Sequence, residues 1–193
     1  MKQSKFYIVG ILFLLLLSGC QGKIDENMSE ELPDFEFTNQ DGEDFGLKEL
    51  KGQWWIASFM YTNCKTICPI MTGNMAILQQ KLKNNNLDIH MVSFSIDPDY
   101  DSPEVLTEYA KGYQVDFSNW DFLTGYDFKT IQDLSMDSFK TAIESTSPGT
   151  GNDQIAHGTN FFLVNPEGIV IKKYDSVGKT GIEEAVNDID TIQ

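Results

Sequence analysis

The chain has 193 residues, and 29 Asp and Glu against 14 basic residues leave a formal net charge of −15, the wrong sign for a nucleic-acid partner. Every basic residue is Lys, so the guanidinium fork that reads phosphate bidentately is missing and phosphate chemistry is disfavoured. With 41% hydrophobic and 12% aromatic residues the sequence can bury a core, which excludes wholesale disorder, and its length fits one domain.

The first segment reads as an address. Lys2 and Lys5 precede an apolar run from Phe6 to Leu17, which falls short of the ~20 residues a membrane span needs and fits an export signal. It ends in Leu17-Ser18-Gly19-Cys20, which looks like a bacterial lipobox. The expectation is a signal peptide over 1–19, lipidation of Cys20, and a working place on the extracytoplasmic face of the bacterial cell membrane. Two acyl chains suffice for stable attachment. Residues 20–31 read as the lipidated Cys and a flexible tether with a reach of roughly 17–20 Å. The folded domain is expected over 32–193.

Phe35-Glu36-Phe37 alternates, Asn39 to Gly42 supplies a turn and Phe45 to Leu47 resumes, which predicts a short N-terminal hairpin. Trp54 to Met60 is almost continuously apolar, as in a strand covered on both faces. A helix follows over Pro69–Lys83, with Met71, Met75, Leu78 and Leu82 as its buried stripe. Asp88–Ile96 is a second strand, and Pro103–Tyr113 a helix capped by Ser102. Phe122–Thr124 is a short strand, followed by a helix from Asp127 to about Phe139. Thr159–Val164 and Ile169–Tyr174 flank Asn165-Pro166-Glu167-Gly168, a type I turn signal. Thr180 to Glu183 reads as a capping box, and Ile182, Ala185, Val186, Ile189 and Ile192 give the last helix its apolar face. Strands alternating with helices define an α/β domain with a central mixed sheet flanked by helices.

Chemistry concentrates in Tyr61-Thr62-Asn63-Cys64-Lys65-Thr66-Ile67-Cys68-Pro69. Cys64 and Cys68 are the thiols left once Cys20 is lipidated, and they lie in a strand-to-helix turn. Pro69 suits the first helical position and puts Cys68 near the N-cap, where the helix dipole can lower a thiol pKa to between about 3.5 and 7.5. Cys68 is therefore expected to ionise readily, while Lys65 reads as a solvated loop cation. The four-residue spacing leaves a disulfide and a shared metal ion both open. A purely structural disulfide is disfavoured, because so small a ring removes little chain entropy.

Of the two histidines, His157 precedes a strand in a loop that parallel-sheet geometry brings toward the cysteines, although on its sequence position alone it reads first as a surface or capping residue. His90 sits mid-strand and reads as a solvated or hydrogen-bonded strand residue. Ser145 to Gln154 is polar and reads as a flap over the site. Asp97, Asp99 and Asp101 read mainly as turn and cap residues.

Three separated motifs in order resemble the Sco/SenC family of copper proteins for cytochrome c oxidase assembly. They are Phe59-Met-Tyr-Thr with Cys64-Lys-Thr-Ile-Cys68-Pro69, then Ser95-Ile-Asp97-Pro98-Asp-Tyr-Asp101-Ser-Pro103-Glu, then His157 before Phe161-Phe-Leu-Val-Asn-Pro-Glu-Gly168. The resemblance runs from about Leu32 to the C-terminus, and departs at Ser102, where Thr is more usual. It implies a thioredoxin-like fold in which Cys64, Cys68 and His157 bind one copper ion per domain as Cu(I), Cu(II) or both. Thiolate sulfur suits Cu(I) and imidazole suits both states, whereas a closed structural zinc site wants four protein ligands. Thioredoxin-like oxidoreductases resemble one another in a cis-proline before the strand facing the cysteines; Ile155 to Asn160 has no Pro and carries His157 instead.

The family implies as partner cytochrome c oxidase subunit II, with a thiol reductant for Cys64 and Cys68. Two roles follow. A metallochaperone would deliver copper to the dinuclear copper site of subunit II. A thiol-disulfide oxidoreductase would use Cys64 and Cys68 as a redox-active pair to reduce the cysteines of that site. A copper or redox sensor is the third, blander possibility.

Overall fold

The chain folds into strands β1 (Glu30–Glu31), β2 (Glu36–Thr38), β3 (Asp44–Gly46), β4 (Trp55–Met60), β5 (His90–Ser95), β6 (Trp120–Leu123), β7 (Ile143–Ser145), β8 (Ile155–His157), β9 (Asn160–Val164) and β10 (Ile169–Asp175). The helices are α1 (Leu47–Leu50), α2 (Cys68–Asn84), α3 (Pro103–Lys111), α4 (Phe128–Phe139) and α5 (Lys179–Ile192). The structure is a computed structural model that describes residues 24–145 and 155–192. The expected signal sequence, Cys20 and most of the expected flap lie outside those residues.

Every residue of β4 is buried, as its unbroken apolar run requires. It is interior to a six-stranded sheet of order β1-β10-β9-β4-β5-β6. β4, β5 and β6 run parallel, with Trp55 beside His90 and Met91 beside Trp120. β9 returns antiparallel to β4, with Trp55 opposite Val164, and β10 and β1 continue antiparallel. The loops after β4 and β5, the start of β9 and the end of β10 therefore share one end of the sheet.

Helix α2 buries Met71, Met75, Leu78 and Leu82, the stripe read from its spacing, and packs against α5. Phe59, Phe94, Phe139 and Phe162 form an aromatic cluster with ring centroids 5.0–6.1 Å apart. Such pairs add to plain area burial. The N-terminal hairpin forms as β2 and β3 and is tied to the sheet through Asn39 and Gln40, whose side chains donate to Asp121. The Asn165–Gly168 turn closes with the Gly168 N–H donating to the Asn165 carbonyl at 2.9 Å, and Gly168 takes the left-handed φ of +84° that favours glycine.

Two local expectations need correction. Helix α5 begins at Lys179, so Thr180 and Glu183 lie inside it rather than forming its cap. The Asp175 carboxylate instead takes the N–H groups of Val177 and Gly178 just ahead of the helix. The segment read as a tether is partly structured: Ile24 is buried, Asn27 and Met28 donate to the Ile171 carbonyl, and Glu30 pairs with Val170. Its few apolar residues are spaced to dock on the sheet edge, and they carry the lead-in along β10. The β7–β8 pair was not foreseen in the sequence, because each strand is only three residues long.

Candidate metal centre

The site grows from a strand, a turn and a helix. After β4 the chain turns with the Cys64 N–H donating to the Tyr61 carbonyl at 3.4 Å. Ile67 is the N-cap, Cys68 the first helical residue and Pro69 the second, one position later for Pro69 than the sequence predicts. The first N–H groups of a helix lack intrahelical partners. That of Cys68 finds the sulfur of Cys64, at 3.4 Å. The Cys64 sulfur also lies 3.6 Å from the Thr66 hydroxyl.

His157 arrives from the other side. It is the last residue of β8, not a loop residue, and its Nε2 lies 3.4 Å from the sulfur of Cys68. Its Nδ1 is 2.9 Å from the Gly158 carbonyl. A carbonyl only accepts, so Nδ1 carries the proton and Nε2 keeps its lone pair when the ring is neutral. Burial lowers the pKa of the ring, favouring that neutral form. Gly158 is needed here: a Cβ at that position would come 2.1 Å from the Thr141 hydroxyl oxygen.

The two thiols differ, in the reverse of the sequence expectation. Burial raises the Cys64 thiol, but the N–H groups of Cys68 and Thr66 and the Thr66 hydroxyl outweigh it and bring the thiol down to about 6. Cys68 is fully buried, and that burial, reinforced by Cys64 and by Asp101, pushes its thiol well above the ordinary value despite the Tyr61 N–H. The helix terminus stabilises charge on Cys64, because Cys68 points its own N–H at the other sulfur. Cys64 thus favours its thiolate and Cys68 its thiol, and the Cys68 sulfur faces the imidazole nitrogen that keeps its lone pair. Both sulfurs are unbridged.

Two residues that sequence reasoning passed over complete the frame. The buried Tyr61 hydroxyl accepts from the Ile155 N–H at 3.3 Å, and its ring stands edge-on to His157 with centroids 6.3 Å apart. Burial pushes its phenol up to about 12. Asp101, read as a turn or cap residue, is fully buried. It accepts from the Thr62 N–H at 3.2 Å, from the Thr62 hydroxyl, and from the Ser95 hydroxyl at 2.6 Å. Ser102 is the actual cap of α3, as expected. Lys65 is exposed. His90 bonds Asp121 at 2.8 Å and stacks on Phe45 at the opposite end of the sheet, as a hydrogen-bonded strand residue should.

Among the described residues no group of three His, Cys, Asp or Glu side chains stands ready around a single point. The pair that does meet is Cys68 and His157. The observed separation is 3.4 Å. Cys64 would complete the set by turning its sulfur from the Cys68 N–H.

Two cysteines in the turn and first helical position after a central strand, in a mixed sheet flanked by helices and with the Cys68 sulfur beside His157, define a thioredoxin-like protein. The SCO1/SenC family model matches residues 25–192, and the chain belongs to that family. It is 41% identical over 189 residues to the SCO1 protein homolog of Bacillus subtilis strain 168, covering 98% of this chain and 96% of the relative. A SCO1/SenC family lipoprotein from Bacillus anthracis superposes with a TM-score of 0.82 at 43% identity, over 89% of this chain and 99% of that one. BsSco, described as a member of the Sco family of cytochrome c oxidase assembly proteins in which a disulfide switch was identified, superposes with a TM-score of 0.77 at 41% identity, over 88% and 96%.

Proposed function

We propose that this protein binds one copper ion through Cys64, Cys68 and His157 and delivers it to the dinuclear copper site of cytochrome c oxidase subunit II. The observation that carries this reading is the 3.4 Å approach of the neutral His157 nitrogen to the Cys68 sulfur. The donors fit: thiolates are soft ligands for Cu(I), and imidazole accommodates either state. Two thiolates balance Cu(II) and leave one negative charge with Cu(I), so either state is held at small electrostatic cost. A BsSco relative assigned to cytochrome c oxidase assembly supports the partner.

A second reading rests on Cys64. A thiolate beside a buried thiol is the arrangement of a dithiol reductant, and the disulfide switch described for BsSco favours it. In that role the pair reduces the cysteines of subunit II before copper enters, and a separate thiol reductant restores it.

The lipidated form is the working one in this proposal, with residues 1–19 removed and Cys20 anchored on the extracytoplasmic face. The lipoprotein relative from Bacillus anthracis supports it. The docked lead-in adds a directional argument. Because it runs antiparallel to β10, Ile24 lies toward the end of the sheet that bears the cysteines. Four residue steps from Cys20 to Ile24 span at most about 14 Å, so the anchor holds the site close to the membrane that carries its partner.

Copper titration of the reduced protein separates the roles. Delivery predicts one tightly bound equivalent, weakened by His157→Ala while thiol exchange persists. Copper affinity unchanged in His157→Ala, together with rapid reduction of a subunit II disulfide, overturns delivery in favour of the reductase. Normal oxidase activity after deletion contradicts both and leaves a sensor.

A further inference from the structure

Among the described residues no strand of the main sheet pairs with the one that carries His157. It rides on β8, a three-residue strand whose ladder partner among the described residues is β7, with Ile143 opposite His157 and Ser145 opposite Ile155. Tyr61 lies one residue beyond the central strand and is 2% exposed. Its hydroxyl takes the N–H of Ile155, and its ring stands nearly perpendicular to the imidazole. This phenol joins the element that carries the cysteines to the one that carries the histidine, across 94 positions of sequence.

We propose that the Tyr61 hydroxyl is a positioning group that pins β8 and sets how strongly His157 engages copper, and through it the preference of the site between Cu(II) and Cu(I). The inference rests on the copper reading above. Two thiolates alone satisfy Cu(I), whose affinity for soft sulfur is high, whereas Cu(II) depends more on the imidazole. Loosening the histidine arm therefore weakens the oxidised state selectively. Outer groups that orient metal ligands commonly change affinity by 10–100-fold when removed. One net hydrogen bond acting through a backbone strand belongs at the lower edge, about three- to tenfold.

Tyr61→Phe keeps the ring and removes the bond. Binding of each copper state by the full chain in detergent is measured by chelator competition, and amide exchange at Ile155 is followed without metal. The expected result is a roughly three- to tenfold loss of Cu(II) affinity, Cu(I) affinity within about twofold, and faster exchange at Ile155. Weaker binding of the oxidised state raises the copper potential by about 30–60 mV, since tenfold in a one-electron couple is about 59 mV. In a His157→Ala background the same substitution should leave copper affinity unmoved, because the pin acts through the imidazole. Equal loss of both states, an additive effect in that background, or unchanged Ile155 exchange overturns the proposal. If the parent protein binds neither copper state, the copper reading fails and oxidation-state tuning falls with it, while the exchange rate still decides whether the pin exists.

Discussion

The Cys68 sulfur and His157 Nε2 lie 3.4 Å apart although 89 positions separate them in sequence. Parallel β4 and antiparallel β9 bring them together: the turn after β4 and the segment entering β9 meet at one end of the sheet. Because Nδ1 is committed to the Gly158 carbonyl, the nitrogen facing the sulfur is the one with a free lone pair.

The unequal thiols predict unequal reactivity. Alkylation of the metal-free protein should modify Cys64 first, with a rate that rises through about pH 6, while Cys68 stays protected into the alkaline range. Mass spectrometry of partly labelled protein checks this. For stability the sign follows from a depressed folded pKa: the contribution of Cys64 is full above the ordinary thiol value of 9.0 and is lost as pH falls through about 6. Cys64→Ser should remove that part of the pH dependence.

Asp101→Asn should loosen the cysteine turn. The amide replaces a carboxylate oxygen with a donor that faces the Thr62 and Ser95 donors, losing charge-assisted bonds worth about 1.5–3 kcal/mol each. A lowered denaturant midpoint should report the loss of stability. Burial raises the Asp101 carboxyl to about 6, so its ionisation costs stability as pH climbs from 3.8 through 6. The variant should flatten that part of the pH profile.

Gly158→Ala should displace His157, because the new Cβ would fall 2.1 Å from the Thr141 hydroxyl oxygen. Overpacking of this kind costs about 1–3 kcal/mol. Thr141→Ala removes the clashing atom, so the double variant should regain both thermal stability and copper affinity. No recovery in the double variant would contradict this packing account.

Deleting residues 21–31 should destabilise the domain, since it removes the buried Ile24 and the β1 pairing with β10. Burial of one such side chain is worth about 1.5–3 kcal/mol. A thermal scan against the longer chain measures it, and equal midpoints would contradict the docked lead-in.

Much of this architecture was legible in the sequence because the period of apolar residues reports burial directly. The solid run of β4 and the Met71, Met75, Leu78 and Leu82 stripe of α2 are such cases. The approach of Cys68 and His157 was legible through motif order. What periodicity misses is what a long-range contact decides. The strand β8 is too short to show alternation, and Tyr61 joins the site only by accepting the N–H of Ile155, 94 positions away. Asp101 looks like a capping residue beside Pro103 until Thr62 and Ser95 fold over it. The thiol order was inverted because helix position alone ignores which sulfur receives the terminal N–H and which loses its water.

The most direct test of the account is a chelator-competition titration of Cu(II) on the reduced protein and its His157→Ala variant. Three converging ligands predict one equivalent bound and at least about a tenfold loss of affinity in the variant, since losing a direct ligand costs no less than losing the outer groups that orient one. Identical affinity in the two proteins would contradict it, leaving Cys64 and Cys68 as a thiol couple without a shared metal.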